Sequence, residues 1–249
     1  MTFQEFETRL LKAKTLDFGA ILDYSFQLFK KIWLQGFLMI LITMIFGVLI
    51  ALAFVSIGFI PNPYDVADFQ GLNFFTIYAN SAVKNLPQSL VLSPVLLGLM
   101  AGFYRVCRQE DLMQEKKDDL FYFFKGENSR KVMVLGVVYA LITAVAQALF
   151  IIPYIYASIP LLYFAVVFAF NEELSELEIV KLSFKLGTKK WFLTFGLVFI
   201  TGIIAMLGIL ACGVGVLFTM PLIYLPIYFI YKEVVGFDDF EELDQIGNI

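Results

Sequence analysis

An all-α, polytopic membrane fold with six transmembrane helices arranged as three hairpins is what this sequence predicts, and three observations predict it. Of 249 residues, 60% are hydrophobic and 16% charged, which leaves too little polar side chain to cover the surface of a soluble domain. The charges are gathered into clusters separated by long uncharged apolar runs. The basic residues occupy alternate clusters, the pattern expected when a bilayer divides two compartments.

One crossing of a hydrocarbon core about 30 Å thick takes about 20 apolar residues at about 1.5 Å each. Trp33–Ile60 carries no charge and suits one tilted span, and Asn85–Tyr104 is a second run of near-minimal length. The Leu, Ile, Val and Phe residues between Phe37 and Ile57 together contribute roughly −6 kcal/mol on an insertion scale. Mixed charge ahead of Trp33 is unlike a signal peptide, so the first span reads as an uncleaved anchor. Val132–Phe170 would be roughly 58 Å long as one helix, about twice the hydrocarbon thickness, and must turn back on itself. Ile152-Pro153-Tyr154 is the expected turn, because proline cannot donate the helical bond and restricts the residue before it. Trp191–Tyr231 repeats the arithmetic, with Cys212-Gly213-Val214-Gly215 as the expected break. The expected organisation is a cytoplasmic amphipathic N-terminal segment (1–32), a six-helix transmembrane domain (33–231) and an acidic cytoplasmic tail (232–249).

Of 18 Lys and Arg residues, only Lys84 falls in a connection on the far side. The others precede span one (Arg9, Lys12, Lys14, Lys30, Lys31), lie between spans two and three (Arg105 to Lys131) or four and five (Lys181, Lys185, Lys189, Lys190), or follow span six (Lys232). The positive-inside rule then puts both termini in the cytoplasm, and the localisation expected is a bacterial inner membrane. Cys107 and Cys212 are expected at opposite faces and unpaired, since a disulfide needs alpha carbons within about 7 Å.

Each odd-numbered span has a charged, aromatic lead-in. In the first, Ile21, Leu22, Phe26 and Phe29 follow helical spacing beside Lys30 and Lys31; in the third, Ile179, Leu182, Phe184 and Leu186 do so beside Lys181, Lys185, Lys189 and Lys190. Both are expected to lie in the membrane interface, with Trp33, Trp191, Lys30, Lys31, Lys189 and Lys190 as anchors. The two also echo one another without gaps: Ser25-Phe26-Gln27-Leu28 aligns with Ser183-Phe184-Lys185-Leu186, Lys31 with Lys189, Trp33 with Trp191, and Thr43 with Thr201. Entry from the same side would make this a parallel repeat.

The chain has no histidine, so the commonest general base and metal ligand is missing, and no catalytic, cofactor or metal site is expected. The pairs Asp118-Asp119, Glu172-Glu173 and Asp238-Asp239 read as solvated surface. The spans carry no ionisable side chain of the kind that ion-coupled pumps place there. Gln147, Thr143 and Thr201 are the main buried polar candidates, for interhelical hydrogen bonds ahead of substrate contact. Gly98-Leu99-Met100-Ala101-Gly102 permits close approach and is expected to pack two spans of one molecule. Pro94, Pro160, Pro221 and Pro226 free backbone carbonyls that either line a cavity or mark kinked packing. The connection from Pro61 to Lys84 is expected along the outer leaflet. The tail repeats an apolar residue at Phe237, Phe240, Leu243 and Ile246 among acids, which suits a short helix that docks on the basic face or meets another protein.

Phe170-Asn171-Glu172-Glu173, then Ile179-Val180-Lys181-Leu182-Ser183-Phe184-Lys185-Leu186 and Trp191, resembles the lead-in to the penultimate hairpin of a broad bacterial group. That group is the uncharacterised six-span integral-membrane proteins related to the membrane domain of glycerophosphoryl diester phosphodiesterases. Gly213-Val214-Gly215 through Thr219-Met220-Pro221 to Tyr231 resembles its final hairpin, and Gly98–Arg105 its second span. The resemblance implies fold and location; no activity passes to particular residues. Similar proteins sometimes carry a beta-carotene monooxygenase label, but the familiar carotenoid-cleaving oxygenases hold iron through histidines, which this chain lacks.

The expected function is that of a non-enzymatic integral membrane protein that organises membrane lipid or partner proteins, the acidic tail being the candidate partner site. An uncoupled carrier or flippase for a lipid-like solute is the alternative, and a membrane enzyme using cytoplasmic carboxylates comes last. Nothing calls for nucleic acid, and no oligomeric state is implied.

Overall fold

A helix begins where the Asp17 carboxylate accepts the Ala20 N–H, and it runs without a break to Ser56. This helix, α2 (Phe18–Ser56), belongs to a computed structural model that describes residues 1–59, 74–114, 119–210 and 213–237, with 74–81 as backbone alone. Before it, α1 (Phe3–Lys12) opens with a capping box in which the Thr2 hydroxyl accepts the Glu5 N–H and the Glu5 carboxylate accepts the Thr2 N–H. The chain continues through α3 (Phe74–Asp111), α4 (Asn128–Ala148), α5 (Ile151–Phe170), α6 (Glu176–Lys189) and α7 (Trp191–Met206). A short α8 (Gly215–Thr219), a 3-10 stretch (Met220–Tyr224) and α9 (Leu225–Val234) complete the last crossing.

The fold is all-α and polytopic. Among the described residues six segments are long and apolar enough to cross a membrane: Phe18–Ser56, Ala82–Asp111, Asn128–Ala148, Ile151–Phe170, Trp191–Leu210 and Gly215–Val234. Burial divides them: α5 is the centre, with every residue from Tyr163 to Ala169 buried, whereas α2 has no buried residue beyond Ile40. A solvent that accepts Leu49, Leu52 and Val55 more than half exposed is hydrocarbon.

Three prolines set the close contacts. Pro94 in α3 seats on Gly136 in α4, Pro160 in α5 on Gly187 in α6, and Pro221 on Gly36 in α2. At each glycine a Cβ would collide with the proline ring or backbone, so the absent side chain makes room for the bulky one. The even-span prolines therefore mark packing between helices.

The turn between α4 and α5 falls at Leu149-Phe150, ahead of the expected Ile152-Pro153-Tyr154. Pro153 instead sits in the first turn of α5, where a helix N–H has no intrahelical acceptor to lose and the fixed φ of proline suits the helix. The later break lies where expected: Gly213 and Val214 form a turn, and Gly213 takes φ +77°, a conformation that side chains resist. Cys107 is buried, while Cys212, the connection 60–73 and the tail from Asp238 lie outside the described residues.

The lead-ins differ from the interfacial helices that the sequence predicts. The first is the opening of α2 itself, which passes through residue 32 into the span. The third is a separate helix, α6, but it runs back antiparallel along α5: Phe184 meets Phe164, Gly187 meets Pro160, and Trp191 reaches Tyr156. Its apolar residues Ile179, Leu182 and Leu186 are wholly buried in protein, so they leave no face for lipid. The aligned segments part at Lys190, which caps α6, whereas the aligned Ile32 continues α2.

The glycine seats yield a comparison. Gly136→Ala is expected to destabilise the protein in detergent by about 1–3 kcal/mol, because the Pro94 backbone must move. Gly47→Ala, which meets nothing within 4 Å, is expected to be neutral or to stabilise by up to about 1 kcal/mol. Thermal unfolding of the two variants checks the contrast.

Candidate functional site

Charges at the ends of two apolar runs meet around Glu172. Arg105, at the end of the apolar part of α3, places Nη1 2.8 Å from Oε1 of Glu172, two residues beyond α5. Asn128 Nδ2 donates to the other oxygen at 2.6 Å, and the Tyr122 hydroxyl approaches it at 3.4 Å. Lys131, in α4, donates to the backbone carbonyls of Glu172 and Leu174. The Arg105 guanidinium also lies 3.8 Å over the Tyr122 ring. Arg105 and Glu172 are 19% and 26% exposed, so the carboxylate read as solvated surface is a half-buried hub.

This hub holds the segment 119–127 against α3. Gly98 and Gly102 receive that segment: a Cβ at Gly98 would strike the Phe124 ring, and one at Gly102 the Leu120 carbonyl. The Gly-x-x-x-Gly motif thus seats an aromatic loop, in place of the second span that the sequence suggests. Phe123, fully buried, carries the loop onto Phe168 of α5 at 4.7 Å between rings. Further along the loop, the Lys125 ammonium, with the Phe121 N–H, holds the Asp119 carboxyl below its usual range.

The N-terminal helix is clasped from both sides by donors at helix ends. Lys189 donates to the Leu10 and Leu11 carbonyls of the last turn of α1, and Lys190 to the Lys14 carbonyl just past it. Arg9 in turn donates to the Val235 carbonyl beyond α9. A cation at a helix C-terminus meets open carbonyls and the negative end of the helix dipole. Burial, together with the neighbouring Lys189 charge, pushes the Lys190 ammonium pKa down.

Beside the clasp, a groove of about 820 Å³ separates α1, the start of α2 and the end of α9, and is lined by Arg9, Lys12, Lys14, Asp17, Tyr24 and Lys232 among others. A second hollow of about 280 Å³ shares Tyr24, Lys232 and Glu233 and extends along α2 past Gln27 to Lys31. Asp111 Oδ2 accepts from Lys232 at 2.6 Å and from the Tyr228 hydroxyl at 2.8 Å, and so fixes that wall. Deep in the bundle, Ser93, Leu97, Tyr139, Leu161 and Tyr224 border a cavity of only about 80 Å³.

The residues singled out from sequence are dispersed. Trp33 is 44% exposed and, with Phe37, packs on Phe218. Trp191 has a more specific partner: its indole N–H donates to the Tyr156 carbonyl at 3.1 Å. That carbonyl is the one Pro160 leaves without a helical donor, four residues on. Lys30 and Lys31 are exposed on α2. Thr201 returns its hydroxyl to Leu197 of its own helix, not across an interface, as its aligned partner Thr43 does to Met39. Ser183 and Ser25 likewise share one bond type, to Ile179 and Ile21. Thr143 Oγ1 is buried and has no described partner, and Gln147 stands in the last turn of α4.

Thr143 and Thr201 make no described interhelical bond, and other side chains supply such bonds. The Tyr163 and Thr194 hydroxyls lie 2.6 Å apart between α5 and α7, and the Thr219 hydroxyl donates to the Ala205 carbonyl at 2.6 Å. The Asn171 amide donates to Val167 O and to the Tyr231 hydroxyl. Position relative to apolar runs offered one signal: Arg105, Lys131 and Glu172 each stand within two residues of a run's end, and so at a common level.

Together these features define a multi-pass membrane protein whose charged segments are joined by polar contacts beside a basic groove. No protein-family model, curated protein or solved structure matches the chain.

Glu172→Gln is expected to cost about 2 kcal/mol, since it turns a half-buried, charge-assisted pair with Arg105 into a neutral contact. Arg105→Met combined with Glu172→Leu is expected to cost less than the two single changes summed, by the same unfolding measurement. Trp191→Phe is expected to lose about 1 kcal/mol. In a Pro160→Ala background, where an N–H again meets Tyr156, that loss is expected to shrink, which a double-mutant cycle reads directly.

Proposed function

We propose that this protein is a non-enzymatic organiser of membrane lipid, resident in a bacterial cytoplasmic membrane with both termini in the cytoplasm. The observation that carries the reading is the use of its charged groups. Glu172, Arg105, Lys131, Lys189 and Asp111 are engaged in holding helices together, while the groove between α1, α2 and α9 stays open beside a lipid-facing helix. The basic clusters favour the cytoplasmic side for that groove, through the positive-inside rule and the anionic inner leaflet. The likeness of Phe170–Trp191 to six-span bacterial membrane proteins supports the same location. The cavity bordered by Ser93 and Tyr224, at about 80 Å³, has no room for an acyl chain and gives the carrier reading no support.

The test is extraction into lipid nanodiscs followed by native mass spectrometry, paired with vesicles that carry a bleachable lipid probe. Retained lipid is expected, with no lipid product formed and no acceleration of probe exchange between leaflets. Product formation would make the protein an enzyme, and accelerated exchange would make it a carrier. A stoichiometric protein subunit in place of lipid would shift the role to partner binding, with the tail beyond Phe237 as the first segment to alter.

A further inference from the structure

We infer that the groove between α1, α2 and α9 holds the phosphate headgroup of an anionic phospholipid whose acyl chains lie along the exposed face of α2. The assignment rests on the lipid-organising reading and adds the ligand's chemistry to it.

Two independent observations support it. The first is charge. Arg9, Lys12, Lys14, Lys31 and Lys232 border the joined hollows against Asp17, Asp111 and Glu233. Asp111 and Lys232 pair with each other, which leaves Arg9, Lys12, Lys14 and Lys31 against Glu233 and Asp17, whose carboxylate also accepts the Ala20 N–H that starts α2. Lys12 and Lys14 are exposed on the rim, so the groove presents a surplus of positive charge to an incoming anion.

The second is continuity. Because α2 does not break at the membrane boundary, residues at alternating spacings of four and three share one face: Ala20, Tyr24, Gln27, Lys31, Leu34 and Leu38. The first four line the hollows, and the next two are 48% and 40% exposed apolar side chains. A ligand on this stripe meets cations at one end and hydrocarbon-facing leucines at the other. That order of surfaces matches a phospholipid; a free phosphate would use only the first half. The acidic tail that follows Phe237 also has the charge to enter the groove, but it offers nothing to Leu34 and Leu38 that lipid does not already supply.

The test uses the full chain in nanodiscs of equal phosphatidylglycerol and phosphatidylcholine with the same acyl chains, and native mass spectrometry reads the retained lipid. Phosphatidylglycerol is expected at least about tenfold over phosphatidylcholine. Each basic residue near an anionic group contributes about fivefold, so Lys12→Gln with Lys14→Gln is expected to lower retention roughly 30-fold. Both side chains are exposed and their loss spares the clasp, whereas Lys181→Gln on α6 is expected to change nothing. Equal retention of the two lipids, or a preference untouched by the double change, would overturn the headgroup assignment while leaving the lipid-organising reading in place. Loss of all retained lipid would overturn both. Displacement by soluble glycerol phosphate as readily as by lipid would assign the groove to free phosphate. A preference that emerges only after Asp238, Asp239, Glu241, Glu242 and Asp244 are neutralised would assign it to the tail.

Discussion

In hydrocarbon a backbone polar group without a partner costs several kcal/mol, because no water replaces the missing bond, and this constraint shapes the bundle at Pro160. Pro160 removes the N–H that would have met Tyr156, and its ring fills the space against Gly187. The carbonyl so exposed is met by the Trp191 indole, which arrives there because α6 folds back along α5. One residue thus sits at both a close helix contact and the carbonyl that receives a tryptophan indole. Pro94 and Pro221 repeat the contact with Gly136 and Gly36, which ties α3 to α4 and the last crossing to α2.

The spans were legible because their signal is composition over about 20 residues, which no local choice of partner can alter. The break at Gly213 was legible for a similar reason: a sharp reversal inside apolar sequence needs a residue that accepts positive φ. Pro153 misled because proline signals two opposite things, the end of one helix and the first turn of the next, and spacing does not separate them. Gly98 and Gly102 announced a close approach truthfully but could not name the approaching group, here the Leu120–Phe124 loop. Glu172 was the most costly omission. Charge at a run's end reads as solvent exposure until Arg105 and Asn128 are placed beside it.

Amphipathic pattern raised the same difficulty at larger scale. The spacing of Ile179, Leu182 and Leu186 predicts that one helix face is apolar, and it is. It does not say whether lipid or protein covers that face. In α6 the cover is α5, which is central and so has no lipid-facing side over Tyr163–Ala169. In α2 the same kind of pattern opens onto protein at Ile21 and Leu28 and onto lipid beyond Ile40. Two segments alike in sequence therefore serve different roles, and they diverge at Lys190, which caps α6 where the aligned Ile32 continues α2.

The unbroken α2 has a mechanical consequence. A hinge at the membrane boundary would let the N-terminal segment swing apart from the span, and a helix without one transmits position along its whole length. Its first turns are held by α9 through Tyr24 and Phe229, and its middle by Pro221 on Gly36. Beyond Ile40 none of its residues is fully buried, so its outer half is the part of the helix most open to the bilayer. The α1 clasp acts at the other end: Arg9 holds Val235 beside the groove, and Lys189 holds α1 against α6. The groove is therefore walled by elements that the bundle fixes and floored by the one helix most exposed to lipid. An occupant that touches both adds contacts between them, and its binding free energy goes into keeping α1, α2 and α9 in register.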